Sequence, residues 1–171
     1  AVQINASIEE IAFVVFIGLG NACAIMVGNK IGEGEEDVAS EYGRRFLIIT
    51  VLFAALAGFI ILLIREPVVG LYEISNEVSM NARQLMTVFA FTAWLRAINF
   101  ILFIGVLRAG GDTRFAMFME IFSIWMVGVP AALIGGFVLH LPVYGVYLMV
   151  LSEELVKVFI ISHRYRSGKW M

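Results

Sequence analysis

The sequence is poor in cysteine and in charged residues, and each shortage excludes whole classes of protein. Its 171 residues include one cysteine, Cys23, so no internal disulfide can form. Charged residues make up 15% of the chain, with 12 Lys+Arg against 14 Asp+Glu and a formal net charge of -2. No basic surface is available to neutralise phosphates, so nucleic acid is excluded as a partner.

Sequence motifs of enzymes are also absent. The chain has no Gly-Lys-Ser/Thr phosphate-binding loop, no HExxH zinc motif and no GxSxG nucleophile motif. His140 and His163 stand at opposite ends of the last apolar segment, and neither is near Cys23 in sequence. We therefore expect no catalytic residues and no cofactor.

The sequence is instead rich in apolar residues, which make up 61% of the chain. A soluble domain is about half apolar and about a quarter charged, so this composition predicts an all-α membrane protein. A helix that spans a bilayer needs about 20 apolar residues. Five stretches satisfy this requirement and predict five transmembrane helices: 8–31, 46–64, 84–107, 115–139 and 141–163.

The connections between these spans carry turn and capping signals. Residues 32–45 predict a glycine turn followed by a short amphipathic helix. Pro67 is expected to begin a juxtamembrane segment, and Ser75 to cap the next helix at its N-terminus. Arg108–Arg114 predicts a tight Gly-Gly-Asp turn.

Positive residues are divided unevenly between the two ends of the predicted spans. Only Arg65 and Arg83 fall at one end. The other end receives Lys30, Arg44, Arg45, Arg108, Arg114, Arg164, Arg166 and Lys169. Because Lys and Arg concentrate in cytoplasmic loops, we expect this end and the C-terminus to be cytoplasmic in a cell (plasma) membrane. The chain would begin outside, without methionine, so we expect it to be a fragment of a longer protein.

Four segments carry a resemblance to a known family. They are VGNKIGEGEEDVA at 27–39, VLRAGGDTRF at 106–115, WMVGVPAAL at 125–133 and SEELVKVFIISHRYRSGKW at 152–170. In this order they resemble the C-terminal lobe of multidrug and toxic compound extrusion (MATE) transporters. The resemblance implies half of a twelve-helix carrier with two six-helix lobes, of which this chain supplies the eighth to twelfth helices.

The same resemblance implies a function. It implies export of cationic, amphipathic drugs or metabolites in exchange for Na+ or H+ by alternating access. The implied partners are the lipid bilayer, small cationic substrates and the missing N-terminal lobe. Some members of the family carry an acidic cation-site residue in the helix before the Leu-Arg-x-Gly turn. This chain has Arg96, Ala97 and Asn99 near that place, which leaves the coupling ion and a possible Na+ site open.

Ionisable residues inside the spans are the first candidates for chemistry. Each costs about 2.5–3.5 kcal/mol at the bilayer centre, and such residues usually pair in the bundle interior. At about 1.5 Å per residue, Arg96 lies about 16 Å deep, Glu153 and Glu154 about 14 Å, and Glu120 about 8 Å. These depths predict that Arg96 pairs with Glu153 or Glu154. Lys157 lies one helical turn beyond these glutamates in the fifth span. The set is either a structural ion cluster or a proton or cation relay.

The first span supplies two more carboxylates. Glu10 and Asn21 share a narrow arc at about 100° per residue, which predicts a face toward a cavity. Glu9 falls on a more apolar stripe, and both glutamates lie about 27 Å from the cytoplasmic side. We expect one of them, Glu10 first and Glu9 second, to bind the exported cation and the coupling ion in turn. The alternative is an interfacial acid at a helix end.

The fourth span contains residues that are typical of a helix hinge. Pro130 should kink this helix, and Gly128 and Gly135 allow close contact with a neighbouring helix. Alternating access needs such joints, although packing alone also accounts for them.

Two further functions stay open at this point. One is a lipid-linked oligosaccharide flippase of the same superfamily, which would want a strongly cationic cavity. The other is a non-transporting membrane scaffold, which would need no buried charges.

Overall fold

The computed structural model describes residues 2–72, 75–168 and 170, and these residues form helices with no strand among them. Helix α1 is Val2–Gly32, α2 is Glu36–Gly70, and α3 is Asn76–Phe100, which continues as a π-helix over Ile101–Arg108. Helix α4 is Thr113–Ser123, followed by a π-helix at Ile124–Gly128, α5 at Val129–Leu133 and a further π-helix at Ile134–Val138. The chain ends in α6, Val143–Val150, and α7, Ser152–Arg166. The all-α class predicted from composition is confirmed.

Within the described residues, four helical stretches are long and apolar enough to cross a membrane. They are Asn5–Gly32, Glu36–Gly70, Asn76–Arg108 and Thr113–Val138, and each overlaps one of the first four predicted spans. The fifth predicted span, 141–163, is divided into α6 and α7, which meet at Leu151. This segment differs from the others because α7 carries three of the predicted site residues, Glu153, Glu154 and Lys157, in its first two turns.

Helix α2 corrects two of the predicted connections. Residues 36–45 are the first turns of α2 and not a separate amphipathic helix. Glu36 and Asp37 favour the helix N-terminus, and no proline follows them before the apolar stretch, so the helix propagates into it through Gly43. Pro67 lies inside α2, near its end, and does not begin a new segment. A proline so close to the C-terminus of a helix disturbs only its last turns.

The predicted cap and the predicted tight turn are both confirmed. The backbone N–H of Val78 donates to Ser75 Oγ at 3.4 Å, which satisfies one of the free N–H groups at the start of α3. The turn before α4 contains Gly111 at φ +92°, a left-handed conformation that glycine adopts without steric cost.

The helix around Pro130 changes from α-helical to π-helical hydrogen bonding on both sides of the proline. Val129 N–H donates to the carbonyl of Ile124, and Leu139 N–H donates to that of Ile134, which are i→i−5 bonds. Proline lacks an N–H and crowds the carbonyl of the preceding turn, and π-helical turns are one way in which a helix adapts to such a residue. A hinge at this position stays a prediction.

Contacts near the C-terminus bring three segments to one end of the bundle. Arg164 Nε donates to Asp112 Oδ2 at 2.8 Å, and Tyr165 Oη donates to the carbonyl of Ser40 at 2.8 Å. Trp170 is buried against Gly110. The prediction that the first loop, the Gly-Gly-Asp turn and the C-terminus share one end is therefore confirmed. Lys169, counted among the cations of that end, lies outside the described residues.

Candidate functional site

A cavity of about 750 Å³ lies beside α1, α3, α4 and α7. Seven of the residues singled out in the sequence line it: Glu9, Glu10, Arg96, Asn99, Glu120, Glu154 and Lys157. Aromatic and aliphatic side chains form the rest of the wall: Phe13, Val14, Ile17, Phe100, Phe103 and Ile104. The surrounding helices therefore gather charged groups into one predominantly apolar space.

Arg96 is bound to a carboxylate from α1. Its Nη1 lies 2.6 Å from Glu9 Oε2, and both side chains are largely buried. A second carboxylate, Glu154 on α7, lies 3.9 Å from Arg96 Nε. The guanidinium group also stands over the ring of Tyr147, with Cζ 5.4 Å from the ring centroid. The guanidinium group of Arg96, a residue of α3, thus contacts side chains of α1, α6 and α7.

The predicted pairing of Arg96 with Glu153 or Glu154 is confirmed for Glu154, although a nearer carboxylate was not predicted. Glu154 lies within ion-pair distance, but Glu153 contacts Lys157 instead, and Glu9 makes the shortest contact. The depths were measured along the backbone, where Glu9 is much further out than Arg96. A helical side chain leans toward the N-terminus of its helix, so Arg96 extends toward the end of the bundle where α3 begins and reaches Glu9.

The other oxygen of Glu9 accepts two further hydrogen bonds. Tyr147 Oη and Asn5 Nδ2 each donate to Glu9 Oε1 at 2.5 Å. Neither donor was predicted from the sequence, although a signal existed for each. Asn5 precedes Glu9 by four residues on the same helix face, and Tyr147 precedes Glu154 by two turns.

A second ion cluster surrounds Lys157. Its Nζ lies 2.5 Å from Glu153 Oε1 and 3.0 Å from Glu120 Oε1, and only 7% of the lysine side chain is exposed. Glu153 belongs to the same helix as the lysine, whereas Glu120 comes from α4. The Glu153 carboxylate lies directly against Gly128, where a Cβ would overlap its Oε2. Gly128 therefore makes room for a charged group.

Asn99 joins the first cluster to α7. Its Nδ2 donates to Glu154 Oε2 at 2.6 Å and to the backbone carbonyl of Glu154 at 2.9 Å. Together, Glu9, Arg96, Asn99 and Glu154 connect three helices by polar contacts that no single helix could make.

Other candidates lie apart from these clusters. Asn21 is exposed and is not among the cavity-lining residues, because the cavity extends along α1 only as far as Ile17. Glu10 lines the cavity but is exposed, and no ion pair or hydrogen bond of its side chain appears among the described contacts. Gly135 packs against Met149, whose Sδ would lie 3.0 Å from an added Cβ. The contacts therefore favour Glu9 over Glu10 as the first carboxylate to test.

The cavity holds more negative than positive groups. Glu9, Glu10, Glu120 and Glu154 line it, against Arg96 and Lys157. Within the described part of the chain, no group of three or more His, Cys, Asp or Glu side chains is arranged to hold a metal ion. The chemistry available is therefore attraction of a cation by carboxylates in an apolar, aromatic-walled space.

Gly128→Ala should separate Glu153 from Lys157. The added methyl group takes the space of the carboxylate, so the glutamate must rotate away from its cation, and we expect a loss of about 1–3 kcal/mol of stability. Gly136→Ala is the matched control, because an added Cβ there meets no atom within 4 Å. Thermal unfolding of the purified full-length variants measures the difference. Equal unfolding midpoints for both variants would contradict the packing described here.

A bundle of apolar helices with paired charges around a cavity is the architecture of a helical membrane transporter. The chain belongs to the MatE family, whose model matches residues 1–134. Members of this family are transporters and not enzymes, which confirms the expectation drawn from the missing enzyme motifs.

Individual relatives agree with this assignment. The chain is 26% identical over 161 residues to the "Uncharacterized transporter YisQ" of Bacillus subtilis, covering 93% of this chain and 35% of that protein. It is 30% identical over 154 residues to the "Multidrug resistance protein MdtK" of Pectobacterium atrosepticum, covering 90% and 30%. It is 23% identical over 168 residues to the "Probable multidrug resistance protein NorM" of Thermotoga maritima, covering 98% and 36%. The chain thus spans about a third of the length of these curated relatives. No solved structure matches it.

Proposed function

We propose that the chain is part of a secondary antiporter that exports cationic, amphipathic drugs or metabolites in exchange for Na+ or H+ by alternating access. The names of its relatives support multidrug export as the general activity. The proposed partners are the lipid bilayer, small cationic substrates and an N-terminal lobe of the same protein.

The observation that carries this proposal is the composition of the cavity. Four carboxylates and two cations line it, together with Phe13, Phe100 and Phe103. The excess of negative charge attracts a positive substrate, and the aromatic rings bind its apolar part and its charge. The volume of about 750 Å³ lies within the range of small-molecule sites.

The alternative functions fit this cavity less well. A flippase that moves a lipid-linked oligosaccharide would need positive groups for the phosphates of its substrate, and here carboxylates outnumber cations. A scaffold gains nothing from charges placed inside a bundle, because each costs free energy to insert.

Reconstitution of the full-length protein tests the proposed transport. Proteoliposomes would be loaded with ethidium, a cationic aromatic dye, and an H+ or a Na+ gradient would be imposed separately. We expect ethidium efflux only with an opposing ion gradient, and no efflux of fluorescein, an anionic dye. Efflux of fluorescein at the same rate, or ethidium efflux that ignores both gradients, would contradict the proposal.

The proposed orientation in the cell membrane places the C-terminal end in the cytoplasm. Single cysteines at Ser75 and Ser167, both exposed, report the two ends of the bundle when introduced with Cys23→Ser. We expect a membrane-impermeant maleimide added to intact cells to label Ser75→Cys and not Ser167→Cys, because the cations cluster at the second end. Permeabilised cells give the control, in which both positions react. Labelling of Ser167→Cys alone in intact cells would reverse the orientation.

A further inference from the structure

Arg96 occupies the place between two carboxylates that belong to different helices. Its guanidinium group contacts Glu9 on α1 at 2.6 Å and lies 3.9 Å from Glu154 on α7. The second distance is too long for a hydrogen bond, and Arg96 Nε is a buried donor without a hydrogen-bond partner among the described residues. The position is therefore defined by negative charge on both sides and not by a complete set of hydrogen bonds.

Amide oxygens near this position are unused. Asn99 is 6% exposed, and its Nδ2 donates to Glu154, yet its Oδ1 has no hydrogen-bond partner among the described residues. Asn5 is 4% exposed, its Nδ2 donates to Glu9, and its Oδ1 is likewise unpaired within the described part. A buried amide oxygen without a partner lowers the stability of the fold, so its position needs a reason.

Carboxylate and amide oxygens are the groups that bind hard metal cations. Glu9 and Glu154 present such oxygens to the guanidinium group from two helices, and Asn99, from a third, contacts Glu154. A neutral side chain in place of Arg96 would leave two carboxylates without the cation that they share, and a bound cation would relieve their repulsion.

We propose that Arg96 is a resident cation that keeps Na+ out of the Glu9–Glu154 pair and thereby makes this cluster independent of Na+. The arginine supplies by covalent attachment the charge that a dissolved cation would otherwise supply. Arg96 is thus a residue that determines ion specificity. The inference deepens the proposed antiport, because it assigns ion selectivity to one side chain of the same cavity.

Na+ binding to the purified full-length protein tests this assignment without any measurement of transport. Thermal unfolding in detergent would be compared in NaCl and in KCl at equal ionic strength. We expect no Na+-specific difference for the wild type or for Arg96→Lys, because both keep a fixed cation. Arg96→Gln should gain a saturable, Na+-specific rise in its unfolding midpoint. At a Na+ concentration about 100 times its Kd, the ratio of folded to unfolded protein should rise about a hundredfold.

Further variants make each outcome decisive. The double variant Arg96→Gln/Glu154→Gln should lose the gained Na+ response, because one of the two carboxylates is gone. Arg96→Met is a second neutral variant for the case in which Arg96→Gln does not fold in KCl. Failure of both neutral variants to fold in NaCl would overturn the assignment, since Na+ should replace the missing charge. A Na+-specific rise in the wild type that Glu154→Gln removes would overturn it as well. Absence of dye export would refute only the proposed function and not this binding result.

Discussion

Lys157→Met should destabilise the protein by about 3–5 kcal/mol, because the lysine is the cation of a buried pair and its removal leaves a carboxylate without compensation. The lysine lies 2.5 Å from Glu153 Oε1, and these side chains are 7% and 11% exposed. Methionine is close in length to lysine and is unbranched and apolar, so it fills much of the same space without the charge. Thermal unfolding of the purified full-length variant measures the loss.

A double variant separates charge from packing in this prediction. Lys157→Met/Glu153→Gln should recover much of the lost stability, because no unpaired buried charge is left. Glu120 can keep its charge in both variants, since 43% of its side chain is exposed and water can solvate it. If the two substitutions destabilise the protein additively, the pair contributes little, and packing of the lysine stem accounts for the effect.

The helices of this protein follow from hydrophobicity, and the exceptions have physical causes. Four apolar runs predicted four long helices, because a run of about 20 apolar residues has few other stable forms. The first and last residues of the helices were less predictable. Polar residues such as Glu36 and Asp37 belong to helix α2, but they do not add to the apolar run from which the span was predicted. The division at Leu151 carries no local signal, because no proline or glycine stands at that place.

The candidate site was predictable as a set of residues but not as a set of contacts. The cost of burying charge identified Arg96, Glu154 and Lys157, and all three line one cavity. The partner of Arg96 depended on the reach of its side chain, which positions along the backbone do not contain. The choice between Glu9 and Glu10 depended on a rotation of about 100° about α1, which is fixed only by the packing of neighbouring helices.

The π-helical segments explain another part of the difference. Residues 101–108, which follow Asn99, form i→i−5 hydrogen bonds in place of the i→i−4 bonds of an α-helix. A depth calculated at about 1.5 Å per residue from the Arg108 end of the span assumes an uninterrupted α-helix. The calculated depth is therefore wrong for residues that precede the π-helical segment, such as Arg96. Sequence periodicity gives no direct sign of such a change in winding.

Glu9→Gln should abolish most of the ion-driven export of a cationic dye by the full-length protein while leaving the protein folded. The glutamine keeps the size of the side chain and can still accept a hydrogen bond from Tyr147, but it no longer attracts a cation. A hydrogen bond to a charged group contributes about 1.5–3 kcal/mol. Since about 1.4 kcal/mol corresponds to a factor of ten, the initial rate of export should fall about tenfold to a hundredfold.

The physical reason is competition for one carboxylate. A carboxylate in a partly desolvated cavity is costly when it is charged and unpaired, and a proton or an organic cation each relieves this cost. Arg96 already satisfies one oxygen of Glu9, so an arriving cation must displace the arginine toward Glu154, which lies 3.9 Å from Arg96 Nε. Exchange follows because a proton and an organic cation cannot both bind Glu9 at the same time.

Glu10→Gln is the matched control for Glu9→Gln, because it changes a carboxylate of the same cavity that makes no described ion pair. We expect a smaller loss of export, since Glu10 contributes long-range attraction of the dye and not a contact with Arg96. Dye efflux measured between about pH 6 and about pH 8 in the same membranes compares both variants with the wild type, with expression matched by immunoblot. If both variants export the dye at the wild-type rate over this range, coupling does not depend on either glutamate. Glu9 would then serve only to anchor Arg96 between α1 and α7, and the carboxylates on α7 and α4 would be the next residues to test.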